Sequence, residues 1–206
     1  MSTRKLNTET RQEQIARAVL KLIGTHGVQN LSIAMVAENV GLVPSGIYRH
    51  FKGKDALLNA ALDLIGTNLL ENVDRICRQS SDALDRLRLL LMHEVTMLLE
   101  NQAIPHIVFS ESIFTDSEYR KAKIKTIMND YFNRIEKIVC KGQQDGRIRP
   151  DIDCLTISLM FKGMVLPAVV LWKATDKGID LVMHADSAWE LFHTAVSTHT
   201  RRYNTT

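Results

Sequence analysis

Strand signals are what this sequence lacks most. Nowhere in its 206 residues do apolar and polar side chains alternate over a run bounded by turn residues, which is how a half-buried strand reads. Aromatics are scarce at 6% and there are only four prolines, while Leu, Ile, Ala and Met are plentiful; that balance favours helix. Cysteine is scarce too. Cys77, Cys140 and Cys154 are odd in number and far apart, which argues against a disulfide framework and suits a reducing cytoplasm. The stretch MSTRKLNTETRQEQ has no apolar segment, so no signal peptide is expected. One long apolar run exists, LTISLMFKGMVLPAVVLW (155–172). Lys162, Gly163 and Pro167 interrupt it, and it reads as a buried helix rather than a membrane span.

Catalytic signatures are missing as well. There is no nucleophile elbow, no Walker loop and no recognisable pair of catalytic carboxylates. No His, Cys or acidic pair has metal-ligand spacing. The expectation is a cytoplasmic all-α protein that is not an enzyme and needs neither cofactor nor metal.

What the chain does have is an uneven charge. Residues 1–54 carry eight Lys/Arg against three Glu, whereas the rest holds 18 basic against 20 acidic residues. A basic first quarter on a nearly neutral chain points to a polyanion.

Helical signals begin in that quarter. TETRQEQIARAVLKLIGTHG offers Thr8 or Thr10 as N-cap and Glu9 and Glu13 near the positive helix end. Ile15, Val19, Leu22 and Ile23 form its apolar face, and Gly24 and Gly27 end it. In LSIAMVAENVG, Ser32 is a natural cap, Val36 and Val40 face inward and Gly41 is a left-handed stop. VPSGIYRHFKGK then places Pro44 at a first helical position, where it breaks nothing. Ile47 and Phe51 point inward, leaving Tyr48, Arg49 and His50 outside. Gly46 removes bulk where the backbone approaches a groove. This is a helix-turn-helix (31–51) whose short second helix is held by packing and is free to enter a major groove.

On residues 31–62, LSIAMVAENVGLVPSGIYRHFKGKDALLNAAL, the sequence resembles the TetR/AcrR family of transcriptional regulators. The shared features are the helix-turn-helix, the Tyr48-x-x-Phe51 element and the junction Lys54, Asp55, Leu57. The resemblance implies an N-terminal three-helix DNA-binding domain (1–55), a C-terminal effector-binding and dimerisation domain (56–206), and about nine helices in total. It implies that Ser32 contacts a phosphate, that Val43, Pro44, Ser45, Gly46 and Arg49 face bases or their sugar edges, that Tyr48 and His50 reach phosphates or the groove edge, and that Lys54 clamps the backbone. Family members usually carry a base-contacting side chain where this sequence has Gly46, which shifts specificity onto Ser45 and Arg49. Arg4 and Lys5 either reach a neighbouring minor groove or lie in solvent.

Further along, helices are expected over residues 54–77, 82–100, 104–114, 116–144, 151–172 and 184–203, with Gly66 a soft point in the first. The helix from Asp151 is apolar nearly all round, and such a helix is either buried on all sides or covered by another chain. The resemblance assigns the last two helices to a homodimer interface, in keeping with a two-fold protein on a palindromic operator. It also implies an effector pocket, for which His93, Met97, His106, Phe109, Phe114, Met128, Tyr131, Met164 and Trp172 are candidate lining. The reading that results is a repressor released from double-stranded DNA by a small apolar or amphipathic effector. Two alternatives are a regulator triggered by cysteine oxidation, with Cys140 between Lys137 and Lys141, and an architectural DNA binder with no effector.

Overall fold

The computed structural model of the chain describes residues 8–101, 103–108, 110, 117–175 and 178–198. Among them the fold is all-α, with one isolated antiparallel bridge between Ile148 and Ser197. The helices are α1 (Thr8–His26), α2 (Ile33–Asn39), α3 (Pro44–Tyr48), α4 (Lys54–Gln79), α5 (Ala83–Glu100), α6 (Ala103–Val108), α7 (Glu118–Gln144), α8 (Cys154–Gly163), α9 (Leu166–Ala174) and α10 (Leu181–Val196). If α8 and α9 are taken as one helix with a two-residue break, nine are described. Two compact units divide the chain: Met1–Leu69 with Leu98–Ile127, and Leu70–Met97 with Met128–Thr206. Long α4 and α7 each contribute to both.

The first unit is organised around α1. Its face Ile15, Val19, Leu22 and Ile23 is buried with Val36 and Ala37 of α2, Ile47 and Phe51 of the α3 segment, and Leu57, Leu58, Ala61 and Leu62 of α4. Each of the larger side chains contributes roughly 1.5–3 kcal/mol by leaving water, and that packing stabilises a five-residue α3 that could not persist alone. Contrary to expectation, α1 continues through Gly24; it is Gly27, at φ 76°, that stops it, donating to the Ile23 carbonyl (2.9 Å). The first turns of α7 are fastened to α4. Arg120 pairs with Asp55 at 2.8 Å and Lys123 with Asp63, while a Cβ on Gly66 would stand 2.6 Å from the Ile127 side chain. Gly66, expected as a soft point, is thus the place where two helices come close.

In the second unit, Asp82 caps α5 by accepting from the amides of Leu84 (2.9 Å) and Asp85 (3.0 Å), and Arg86 donates to the carbonyls of Ser80 and Cys77 at the end of α4. Phe161 of α8 and Trp189 of α10 each pack tilted against Phe192, with ring centres 5.9 Å apart. Three expectations are corrected here. The last helix spans Leu181–Val196 rather than 184–203, because Asp180 caps it through Val182 and Met183 and because Arg149 N–H takes the Val196 carbonyl where the chain leaves the helix. The apolar helix starts at Cys154, where Asp153 is the cap, and extends to Ala174. It is long and apolar enough to cross a membrane, yet only a third of its most apolar window is buried, so the reading as a buried helix fails within a single chain. Finally, Cys140 and Cys154 are joined by a disulfide. They are fourteen positions apart in sequence, but the turn between α7 and α8 folds back and cancels that distance.

Candidate nucleic-acid interface

The surface of the helix-turn-helix follows from how its turn is made. After Val40, Gly41 adopts φ 67°. Its N–H donates to the Glu38 carbonyl (3.1 Å), and the Leu42 N–H donates to Ala37 (2.8 Å). This pair of reverse bonds satisfies the last carbonyls of α2 and sets the angle to α3. At the other end of α2, the Ser32 hydroxyl accepts from the Met35 amide (3.3 Å) and lies at the surface, where its proton is still available to an acceptor.

With Ile47 and Phe51 inside, α3 turns Val43 (65% exposed), Pro44, Ser45, Tyr48 (58% exposed) and Arg49 outward. Neither Arg49 nor Lys52 has a carboxylate partner among the described residues, so both keep their charge for a ligand. Gly46 is half-buried, and a Cβ there would lie 3.4 Å from the Leu42 Cβ. That vector runs toward the protein's own turn and meets Leu42 at ordinary van der Waals distance, so packing does not require a glycine here. His50 is also half-buried, with Nδ1 turned inward and no hydrogen-bond partner among the described residues. Lys54 donates from Nζ to the Gln29 carbonyl (3.0 Å), which ties the start of α4 to the α1–α2 loop and holds the ammonium in place. Arg4 and Lys5 lie outside the described residues.

Sequence reasoning missed the supports behind this surface. Arg120 is 3% exposed and pairs with Asp55, beside Lys54, and its Nε has no hydrogen-bond partner among the described residues. Nothing near Arg120 in the sequence signals this, because its partner is 65 residues away.

The proposed pocket residues are distributed over both units. His106 falls in the first; His93, Met97, Met128, Tyr131, Met164 and Trp172 fall in the second; Phe109 and Phe114 lie outside the described residues. Tyr131 and Trp172 are buried, His93, Met97, His106 and Met164 are half-buried, and Met128 is exposed. The hydroxyl of Tyr131 donates to Glu94, Lys162 Nζ donates to the other Glu94 oxygen (2.7 Å), and the same ammonium lies 4.6 Å from the Tyr131 ring centre. Glu94 and Lys162 were not among the expected site residues. The available signal was Lys162 itself: one cation in an otherwise apolar helix requires a partner. A separate cavity of about 490 Å³ opens in the first unit, bordered by Arg17, Lys21, Asn68 and Glu100 and by none of the expected pocket residues.

Comparison with known proteins bears on the whole chain. Residues 15–61 match the family described as bacterial regulatory proteins, tetR family, and residues 65–195 match the YsiA-like protein, C-terminal region. A fatty acid metabolism regulator protein of Bacillus subtilis is 24% identical over 178 residues, which cover 86% of this chain and 91% of the relative. Among solved structures, FadR from Bacillus subtilis in complex with stearoyl-CoA superposes with a TM-score of 0.75 at 23% identity, covering 88% of this chain and 97% of that one. SmeT, the repressor of a Stenotrophomonas maltophilia multidrug efflux pump, does so with a TM-score of 0.72 at 20% identity and 92% coverage of both chains. At these identities the two structures speak for the fold.

Proposed function

The chain belongs to the TetR family of bacterial regulators and is a DNA-binding transcription regulator, not an enzyme; from that premise we propose that it is a repressor that binds a palindromic operator as a homodimer and is released by a small amphipathic effector. The observation that carries this reading is the outward row Val43, Pro44, Ser45, Tyr48 and Arg49 on a helix whose inner side is fully packed. In this reading residues 1–55 are the DNA-binding domain and 56–206 the effector-binding and dimerisation domain. Ser45 and Arg49 read bases, Val43, Pro44 and Gly46 approach base or sugar edges, Tyr48 and His50 reach phosphates or the groove edge, and Ser32 and Lys54 engage phosphates.

The dimer reading is supported by apolar side chains that the single chain leaves in water. Leu155, Leu159 and Met160 on α8, Leu166, Val170 and Leu171 on α9, and Met183 and Leu191 on α10 are all exposed. So much apolar surface on consecutive helices marks an interaction surface, and a second copy fits a two-fold operator. It accounts for the apolar helix without a membrane, and the protein then works in the cytoplasm, on the nucleoid.

For the effector, a similar fold holding stearoyl-CoA supports the amphipathic class. Of the expected lining, His93, Met97, Met128, Tyr131, Met164 and Trp172 fall in the second unit and are the proposed lining. Release requires that the effector bind better to a conformation that holds the reading heads off the operator spacing; tight binding alone shifts nothing.

Selection from a random DNA pool by the purified protein at physiological salt tests the reading. Enrichment of a palindrome with half-sites about one helical turn apart, or slightly more, is expected. Binding without enrichment that fades as salt rises would replace it with the architectural reading.

A further inference from the structure

Cys140 stands near the end of α7 and Cys154 is the first residue of α8; their Cα atoms are 5.5 Å apart, and a disulfide joins them. Other contacts bring them together independently of that bond. Gln143 donates from its side-chain amide to the carbonyls of Arg149 (2.9 Å) and Ile152 (2.6 Å). Gly146 reverses the chain at φ 69°, Arg149 pairs with Asp151, and Asp153 caps α8 by accepting from Thr156 (2.9 Å). The turn therefore holds the two sulfurs adjacent in either oxidation state. Closure is then intramolecular and favoured over exchange with thiols in solution. Both residues are half-buried, within reach of small oxidants and reductants. Where a DNA-binding regulator works, thiols are kept reduced, and disulfides that do form are usually transient and redox-sensing. The third cysteine is different: burial pushes the Cys77 thiol up, with Arg86 opposing, which leaves it less reactive thiolate.

We propose that Cys140 and Cys154 are a reversible, peroxide-oxidisable pair that fastens the end of α7 to α8 and makes operator binding respond to oxidants. Hydrogen peroxide oxidises one thiol to the sulfenic acid, and one water leaves. The second thiol attacks that sulfur, the S–S bond forms, and a second water leaves. In sum, two thiols give up two electrons and two hydrogens to one peroxide, which becomes two waters; a dithiol reductant reverses the change. The consequence is mechanical. Immediately after Cys154, Leu155, Leu159 and Met160 form the exposed apolar face, so the bond adds a covalent link between α7 and the start of that face and stiffens a tether that the reduced turn makes only through hydrogen bonds. The link to DNA rests on the operator reading; the redox pair itself does not.

The test uses the full chain, reduced with dithiothreitol and then exposed to hydrogen peroxide. Free thiols are titrated, the bonded peptides are identified by mass, and affinity for the selected operator is measured before and after. Free thiols are expected to fall from three to one, Cys77 being spared. Operator affinity should change by about fivefold or more and return with dithiothreitol. Cys77→Ser should keep the response, and Cys140→Ser and Cys154→Ser, checked for folding by circular dichroism, should lose it. Three titratable thiols after peroxide, or a bond between chains through Cys77, would overturn the pair. A bond that forms without altering affinity would overturn the switch. A chain that selects no operator would remove the regulatory half together with the operator reading, and the thiol count would then judge the pair alone.

Discussion

Arg49 and Lys54 both carry positive charge near the reading helix, but their surroundings give them different work. Arg49 is exposed and unpaired among the described residues, whereas Lys54 is already bonded to the Gln29 carbonyl. Arg49→Ala should cost about 1–3 kcal/mol on the preferred operator and relax its base preference. Lys54→Ala should weaken every DNA alike and flatten the salt dependence by about one unit of slope. Titrations on operator and scrambled DNA at several salt concentrations separate the two, and equal effects of both variants on all sequences would refute the assignment. Glycines at this scale divide in the same way. At Gly41, φ 67° makes any side chain strained, so Gly41→Ala should destabilise by about 1–2 kcal/mol. At Gly46 a Cβ meets Leu42 only at 3.4 Å and the backbone is helical. Gly46→Ala should therefore leave urea stability within about 1 kcal/mol. Both glycines were legible as turn or groove residues from sequence, but only coordinates distinguish a needed φ from a spare one.

At the scale of elements, caps and helix contacts decide where helices begin and how they lie. Asp82 illustrates the electrostatics. Burial alone would lift its carboxyl, but the Asp85 amide and Arg147, whose Nε is 2.5 Å away, hold it below the usual carboxylate value. A lowered folded pKa means the contribution is complete above the ordinary value, about 3.9. It is lost as pH falls through the folded one. Asp82→Asn keeps a cap acceptor but loses the charge, so it should cost about 0.3–1 kcal/mol at neutral pH, and the gap from wild type should close in acid, as thermal melts from pH 7 to pH 2 would show. A difference that stayed constant into acid would mean that the carboxylate's charge is not what matters. Ser32 and Asp180 cap their helices as well, yet only Ser32 was anticipated, since Asp180 follows a loop with several candidate starts. The fastening of α7 to α4 through Asp55, Asp63 and Gly66 was invisible, because each partner lies about 60 residues away.

For the whole molecule, the decisive quantity is the apolar surface that one chain cannot bury. Leu159 is half-exposed and Leu191 is 76% exposed. Neither supports the core of its own chain, so Leu159→Arg with Leu191→Asp should leave the secondary structure intact. The same pair should weaken self-association by at least about tenfold, equivalent to about 1.4 kcal/mol. Sedimentation over a concentration series reads this directly, and operator affinity should fall with it. A variant that remains dimeric would move the interface elsewhere.

By itself the sequence determined the all-α class, the helix-turn-helix with its inward Ile47 and Phe51, and the basic first quarter. These rest on periodicity, glycine and proline stereochemistry and charge, all of which act within a few residues along the chain. It also marked the helix it placed from Asp151 as apolar nearly all round, either buried on all sides or covered by another chain; that it starts at Cys154 and leaves apolar surface exposed came from the structure. What only the tertiary structure decided were meetings between distant residues: Arg120 with Asp55, Lys162 with Glu94 and Tyr131, and Cys140 with Cys154. Such pairs form because packing brings helices together at particular depths and registers. Those are set by the fit of many side chains at once, and no local pattern records them.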